Sequence, residues 1–237
     1  MPVLANQKVL VIGGSSGIGL ATAKVAAAAG AQVTIASRSA KKLDDALSIL
    51  GSQSDGKELD TGDEHAIEAF FAAGSGWDHI VISAAQTPTG PVRGLSLGDA
   101  KAAMESKFWG AYRVARAARI RDCRSLTFVS GFLSVRPSAT SVLQGAINAA
   151  LEALARGLAL ELAPMRVNAV SPGLIDTPLW GKVPEEKRSA MFERAALSLP
   201  TRRIGRPEDV ANAVLFLLTT PFATGSTVRV DGGGAIA

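Results

Sequence analysis

The chain of 237 residues contains one cysteine, Cys123, and two histidines, His65 and His79. A single thiol excludes an intrachain disulfide framework, and so few sulfur and imidazole ligands argue against zinc, so no metal is expected. Aromatic residues make up 5%, and Tyr112 is the only tyrosine. No run approaches about eighteen uninterrupted apolar residues, and the opening MPVLANQKVLVIGG lacks the basic region, apolar run and cleavage site of a signal peptide. Blocks of like charge are missing too. The net charge of +4 comes from scattered Lys and Arg, which reads as a solvated basic surface or one suited to a small anionic ligand. A cytoplasmic protein is expected, with no nucleic-acid and no membrane partner.

Hydrophobic residues are plentiful at 47%, enough for a large core, and they alternate between two patterns. Lys8 to Ile12 (KVLVI), Gln32 to Ala36 (QVTIA), a short run near Leu59, His79 to Ser83 (HIVIS), Leu126 to Ser130, Arg166 to Val170 and Ser226 to Val230 read as strands. Helices are expected over Leu20 to Ala29, Ala40 to Leu50, Glu64 to Ala73, about Leu97 to Arg119, from QGAIN (144–148) through Leu162, and over Arg206 to Leu218. Near-continuous apolar strands separated by helices predict an α/β fold, a doubly wound parallel sheet with helices on both faces. The segment 178–200 is richer in charge and proline, which suits a mobile cover over a site.

Between the first strand and first helix stands Gly13-Gly14-Ser15-Ser16-Gly17-Ile18-Gly19. Glycines permit a tight turn and close backbone approach, while the free N–H groups and dipole of a helix N-terminus attract a pyrophosphate. In a strand-turn-helix setting this marks residues 1–237 as one dinucleotide-binding domain of Rossmann type.

The spacing Gly13-xxx-Gly17-x-Gly19 resembles that of the short-chain dehydrogenase/reductase family, and the similarity extends along almost the whole chain. Ile80 to Ala85 (IVISAA) resembles the family's fourth-strand segment ending in Asn-Asn-Ala-Gly, with both asparagines and the glycine changed. Leu158 to Pro164 (LALELAP), Arg166 to Gly173 (RVNAVSPG), Thr177, Arg206 to Val210 (RPEDV) and Val230-Asp231-Gly232-Gly233 resemble family segments as well. The resemblance implies about seven parallel strands, a homodimer or homotetramer, and a nicotinamide dinucleotide across the carboxyl ends of the strands. By position it implies that Gly13, Ser15, Ser16, Gly17, Ile18 and Gly19 hold the pyrophosphate side and that Asp60 lies near the adenine. Ser83, Ala84 and Ala85 would line the ribose region, and Pro172, Gly173, Ile175 and Thr177 would meet the nicotinamide half.

An NAD site needs a carboxylate after the second strand to bond the ribose 2′-hydroxyl, and that charge would repel a 2′-phosphate. Here Ser37-Arg38-Ser39 stands at that place, with no acid until Asp44. Arg38 offers a planar fork for phosphate, and Ser15, Ser37 and Ser39 offer hydroxyl donors, so NADP(H) is the expected cofactor. The alternative is a solvated loop arginine.

The family's chemistry runs on a tyrosine and a lysine spaced Tyr-xxx-Lys on one helix face, with a serine thirteen residues before the tyrosine and an asparagine on the preceding long helix. Registered on Leu158 to Pro164, the tyrosine position is Gln144 and the lysine position Asn148. The serine position is Gly131, beside Ser130, and the asparagine position is Lys107. No Tyr-xxx-Lys occurs anywhere, and Tyr112 follows Lys107 by five residues, about 140° around a helix. Gln144 cannot donate a proton, and losing a positioned acid removes ~10²–10⁴ in rate. Lysine and asparagine have exchanged places. A buried Lys107, its pKa lowered towards roughly 7–8, could serve as the general acid, with Gln144 and Ser130 bonding the substrate oxygen. Alternatively Lys107 snorkels to solvent.

Two functions stay open: an oxidoreductase for a small carbonyl or alcohol with a rewired proton path, or an NADPH-binding sensor or assembly protein without turnover. Phe132, Leu133, Val135, Leu179, Trp180 and Met191 suit an apolar substrate pocket under residues 178–200, or ordinary packing.

Overall fold

Among the described residues seven strands form, all parallel, and all but the polar β3 come from apolar-rich runs: β1 (Lys8–Ile12), β2 (Gln32–Ser37), β3 (Asp55–Glu58), β4 (Trp77–Ile82), β5 (Ile120–Val129), β6 (Arg166–Pro172) and β7 (Thr227–Val230). The computed structural model describes residues 2–74 and 76–237, with side chains at all of these except 122 and 123. Strand order is β3-β2-β1-β4-β5-β6-β7, so the chain changes winding direction between β1 and β4. A crevice opens at such a junction, outside the carboxyl ends of the strands.

Period-two alternation within the central strands feeds two cores. Leu10, Ile12, Ile80, Leu126 and Phe128 face one side of the sheet, where α3 (Glu64–Ala72), α5 (Gly110–Ala117) and α6 (Val142–Glu161) cover them through Phe71, Val114 and Leu151. Val9, Val11, Val33 and Ile35 face the other, under α1 (Gly17–Ala28), α2 (Ala40–Leu50) and α8 (Pro207–Thr219). Side-chain caps start several helices: Ser39 Oγ accepts from Lys42 N, and Asp63 Oδ1 from Ala66 N. No helix among the described residues is long and apolar enough to cross a membrane.

Three elements depart from the sequence expectation. The β5 strand begins at Ile120, six residues early, because Arg121 and Arg124 are anchored by Asp78 on β4 across an irregular register. The polar strand β3 ends just before the buried Leu59 that marked it. The long helix expected from Leu97 is α4 (Leu97–Met104), a π turn at Glu105–Trp109, and α5. Residues 178–200 fold as a 3₁₀ turn (Pro178–Lys182) and α7 (Glu185–Ser198), with every residue of α7 at least partly exposed.

Candidate active site

The glycine turn lies against the end of β4. Gly13 adopts φ +85°, and a Cβ there would meet Ala84 N at 2.5 Å; one on Gly19 would meet Gly13 O at 2.1 Å. Only glycine lets turn, strand end and helix approach so closely. The first turn of α1 has no acid and Ser16 makes no side-chain cap, so its N–H groups are left for an anion. Thr177, beyond β6, comes within 3.4 Å of a Cβ position on Gly17, and Gly173 lies against Asp231. Ser83, Ala84 and Ala85 follow β4, while Pro172, Gly173, Ile175 and Thr177 follow or end β6, all on the carboxyl edge.

At the end of β2, Ser15 Oγ donates to Ser37 Oγ at 3.0 Å, and Arg38 Nη2 donates to Gln86 Oε1 at 3.0 Å. Asp60 Oδ1 accepts from Gly62 N at 2.9 Å in the turn before α3.

Lys107, Ser130 and Asn148 come together. The π turn directs Lys107 inward to 8% exposure, and its ammonium donates to Ser130 O and Asn148 Oδ1, each at 2.7 Å. Burial lowers the Lys107 pKa to about 8, and the nearby Glu152 opposes that fall. Gly131 makes room for this arrangement, since a Cβ there would stand 2.7 Å from Asn148 Nδ2. Gln144, one turn earlier on α6, is half-buried, and among the described residues its side chain reaches only Thr87 Oγ1, at 3.5 Å. Tyr112 is 42% exposed and packs against Phe108 and Trp109 on a different face from Lys107.

Of the apolar pocket residues, Val135 and Leu179 are 44% and 68% exposed. Val135 closes the 3₁₀ turn at Phe132–Ser134, and Leu179 lies in the one at Pro178–Lys182. Trp180 packs edge-on against Phe192 and donates its Nε1 hydrogen to Ile175 O at 3.0 Å.

Sequence reasoning missed Glu152 and Ser134. Ser134 Oγ and Ser130 Oγ donate to Glu152 Oε1 at 2.7 and 2.8 Å. The available signal was the acid four residues beyond Asn148, which continues the polar stripe of Gln144 and Asn148 along a helix rich in Ala and Leu.

Residues 12–234 match the family model described as Enoyl-(Acyl carrier protein) reductase. Short-chain dehydrogenase/reductase ATR9 of Stachybotrys chlorohalonatus is 37% identical over 255 residues, covering 98% of each chain. A solved small-chain dehydrogenase in complex with NADPH is 34% identical with a TM-score of 0.85, covering 98% of this chain and 100% of that one. A short chain oxidoreductase from Pseudomonas aeruginosa PAO1, solved in apo form and described as containing an atypical catalytic center, is 28% identical with a TM-score of 0.88, covering 98% and 97%. With the parallel sheet and glycine turn in place, and relatives matching it from end to end, the chain belongs to the short-chain dehydrogenase/reductase family.

Proposed function

We propose that the protein is an NADP(H)-dependent oxidoreductase that interconverts a carbonyl and its alcohol on a small molecule, with Lys107 carrying the proton. The observation that carries this reading is the buried ammonium at the carboxyl edge, with two of its three hydrogens taken by Ser130 O and Asn148 Oδ1. Two acceptors on a tetrahedral nitrogen leave one direction for the third hydrogen, which meets no partner among the described residues and would serve a substrate oxygen. With its pKa lowered to about 8, the group divides between ammonium and amine near neutral pH, so it can give a proton in reduction and take one in oxidation.

The residues present fit the cofactor. The turn leaves no space for a Cβ at Gly13, and the uncapped start of α1 offers N–H groups to a pyrophosphate. Arg38, with no acid beside it, suits a 2′-phosphate. A nicotinamide bound there supplies or accepts the hydride. Residues 178–200 would cover the substrate, and the half-exposed Trp109 and Tyr112 suit contact with a second copy of the chain.

NADPH consumption across aldehydes, ketones and quinones, with binding followed by NADPH fluorescence, tests the reading. Turnover is expected, and Lys107→Met should lower kcat by ~10²–10⁴ while still binding NADPH. Full activity in that variant removes Lys107 from the chemistry. Tight NADPH binding without turnover on any substrate would favour the sensor or assembly reading, which the neutral amide of Gln144 at the family's tyrosine position also supports.

A further inference from the structure

Positions 144, 148 and 152 follow one another at four-residue steps, so the helix face that carries Gln144 and Asn148 continues to Glu152. Its buried neighbours on α6 are Ile147, Leu151 and Ala155. A carboxylate that is 7% exposed among such residues is strongly disfavoured unless donors and a cation compensate it.

Glu152 has both. The hydroxyls of Ser130 and Ser134 converge on one oxygen, Oε1, at 2.8 and 2.7 Å. Ser130 Oγ also lies 3.2 Å from Val170 O, but Oε1 is the nearer acceptor for its one hydrogen, and a carboxylate oxygen can accept from both serines. Ser130 faces two ways: its carbonyl takes the Lys107 ammonium at 2.7 Å, and its hydroxyl goes to Glu152. The two charges are joined through one residue, with no direct ion pair between them among the described residues.

Among the described residues, the charge that acts on the Lys107 ammonium is that of Glu152. The ends of β4, β5 and β6 carry no charged side chain at 83–85, 130 or 170–171. On its own helix Glu105 is paired with Arg113 and is 46% exposed. Glu152 is therefore the counter-charge of the site.

We propose that Glu152 is a positioning residue that keeps the Lys107 side chain protonated in its buried seat, acting through Ser130, and that it ties the turn at 130–134 to α6. This rests on the proton role proposed for Lys107.

The test is an NMR titration of the full-length protein labelled with ¹³C,¹⁵N-lysine, with the Lys107 signal identified by its loss in Lys107→Arg. In Glu152→Gln the Lys107 midpoint should fall by about one pH unit, and in Glu152→Asp it should stay near the wild-type value. A midpoint in Glu152→Gln that is unchanged or higher overturns the proposal, as does an Asp variant that titrates like the Gln variant. If Glu152→Gln fails to fold, ¹³C-glutamate labelling of the wild-type protein decides: a neutral Glu152 carboxyl at pH 7 overturns the proposal, and an ionised one upholds it. These titrations remain readable in a protein that neither binds NADPH nor turns over substrate, which is how failure of the proposed function would show. An unmoved midpoint in a protein that does turn over substrate overturns the Glu152 assignment alone.

Discussion

His79 is 1% exposed on β4, with Nδ1 2.7 Å from Ser125 Oγ and Nε2 2.7 Å from Gln7 Oε1. Burial foremost, then the charges of Arg166 and Arg124, lowers its pKa from 6.5 to about 4, against the opposing pull of Asp78. Between those values the unfolded chain binds a proton that the folded protein refuses. Stability contributed by the neutral ring is therefore complete above pH 6.5 and is lost as pH falls towards 4. At 1.36 kcal/mol per pH unit the loss reaches about 2 kcal/mol by pH 5 and about 3 by pH 4. That is a large share of the roughly 5–15 kcal/mol that holds a domain folded. Urea unfolding of the wild type and of His79→Gln at pH 8, 7, 5 and 4 measures it. Glutamine fills the site with a polar group that carries no titrating proton, so the variant has a constant offset at high pH. The wild-type advantage should shrink by about 2 kcal/mol between pH 7 and pH 5. Asp209, whose pKa its hydrogen bond from Arg203 lowers to about 2, acts only below that window. Parallel stability curves for the two proteins from pH 8 to pH 5 would refute the reasoning.

Arg38→Asp should weaken NADPH binding by about ten- to a hundredfold and turn the preference towards NADH, read by fluorescence titration with each nucleotide. An unchanged NADPH Kd would place the 2′-phosphate elsewhere. Gly131→Ser restores the residue type of the family pattern, yet its Cβ would fall 2.7 Å from Asn148 Nδ2 and push that amide off the Lys107 ammonium. Turnover should fall by about a hundredfold, and undiminished kcat would show that the Asn148 contact is dispensable.

The alternation of strands and helices was readable because each central strand is buried on both faces, leaving unbroken runs such as Lys8 to Ile12. The glycine turn was readable for a similar reason: at Gly13 a Cβ would stand 2.5 Å from Ala84 N, so that position admits one residue type. Gln144 and Asn148 could be placed together because they share one helix at a four-residue step. The partners of Lys107 lie 23 and 41 residues away on other elements, so spacing alone left open whether it faced inward or snorkelled to solvent. The same limit hid the two serines on Glu152, and an assumed α-helical period over Leu97 to Arg119 hid the π turn.

A π turn packs one residue more into its rise than α-helical winding does. Deleting a single residue between Lys107 and Gly110 would let α4 and α5 join as one regular helix, turning Lys107 by about 100° relative to α5 and out of its seat beside Asn148. Which group occupies that seat is thus decided by residue count as much as by residue type. A homologue with lysine at the same aligned position but no such insertion would carry it on another face, so an alignment column alone misreads the chemistry of this helix.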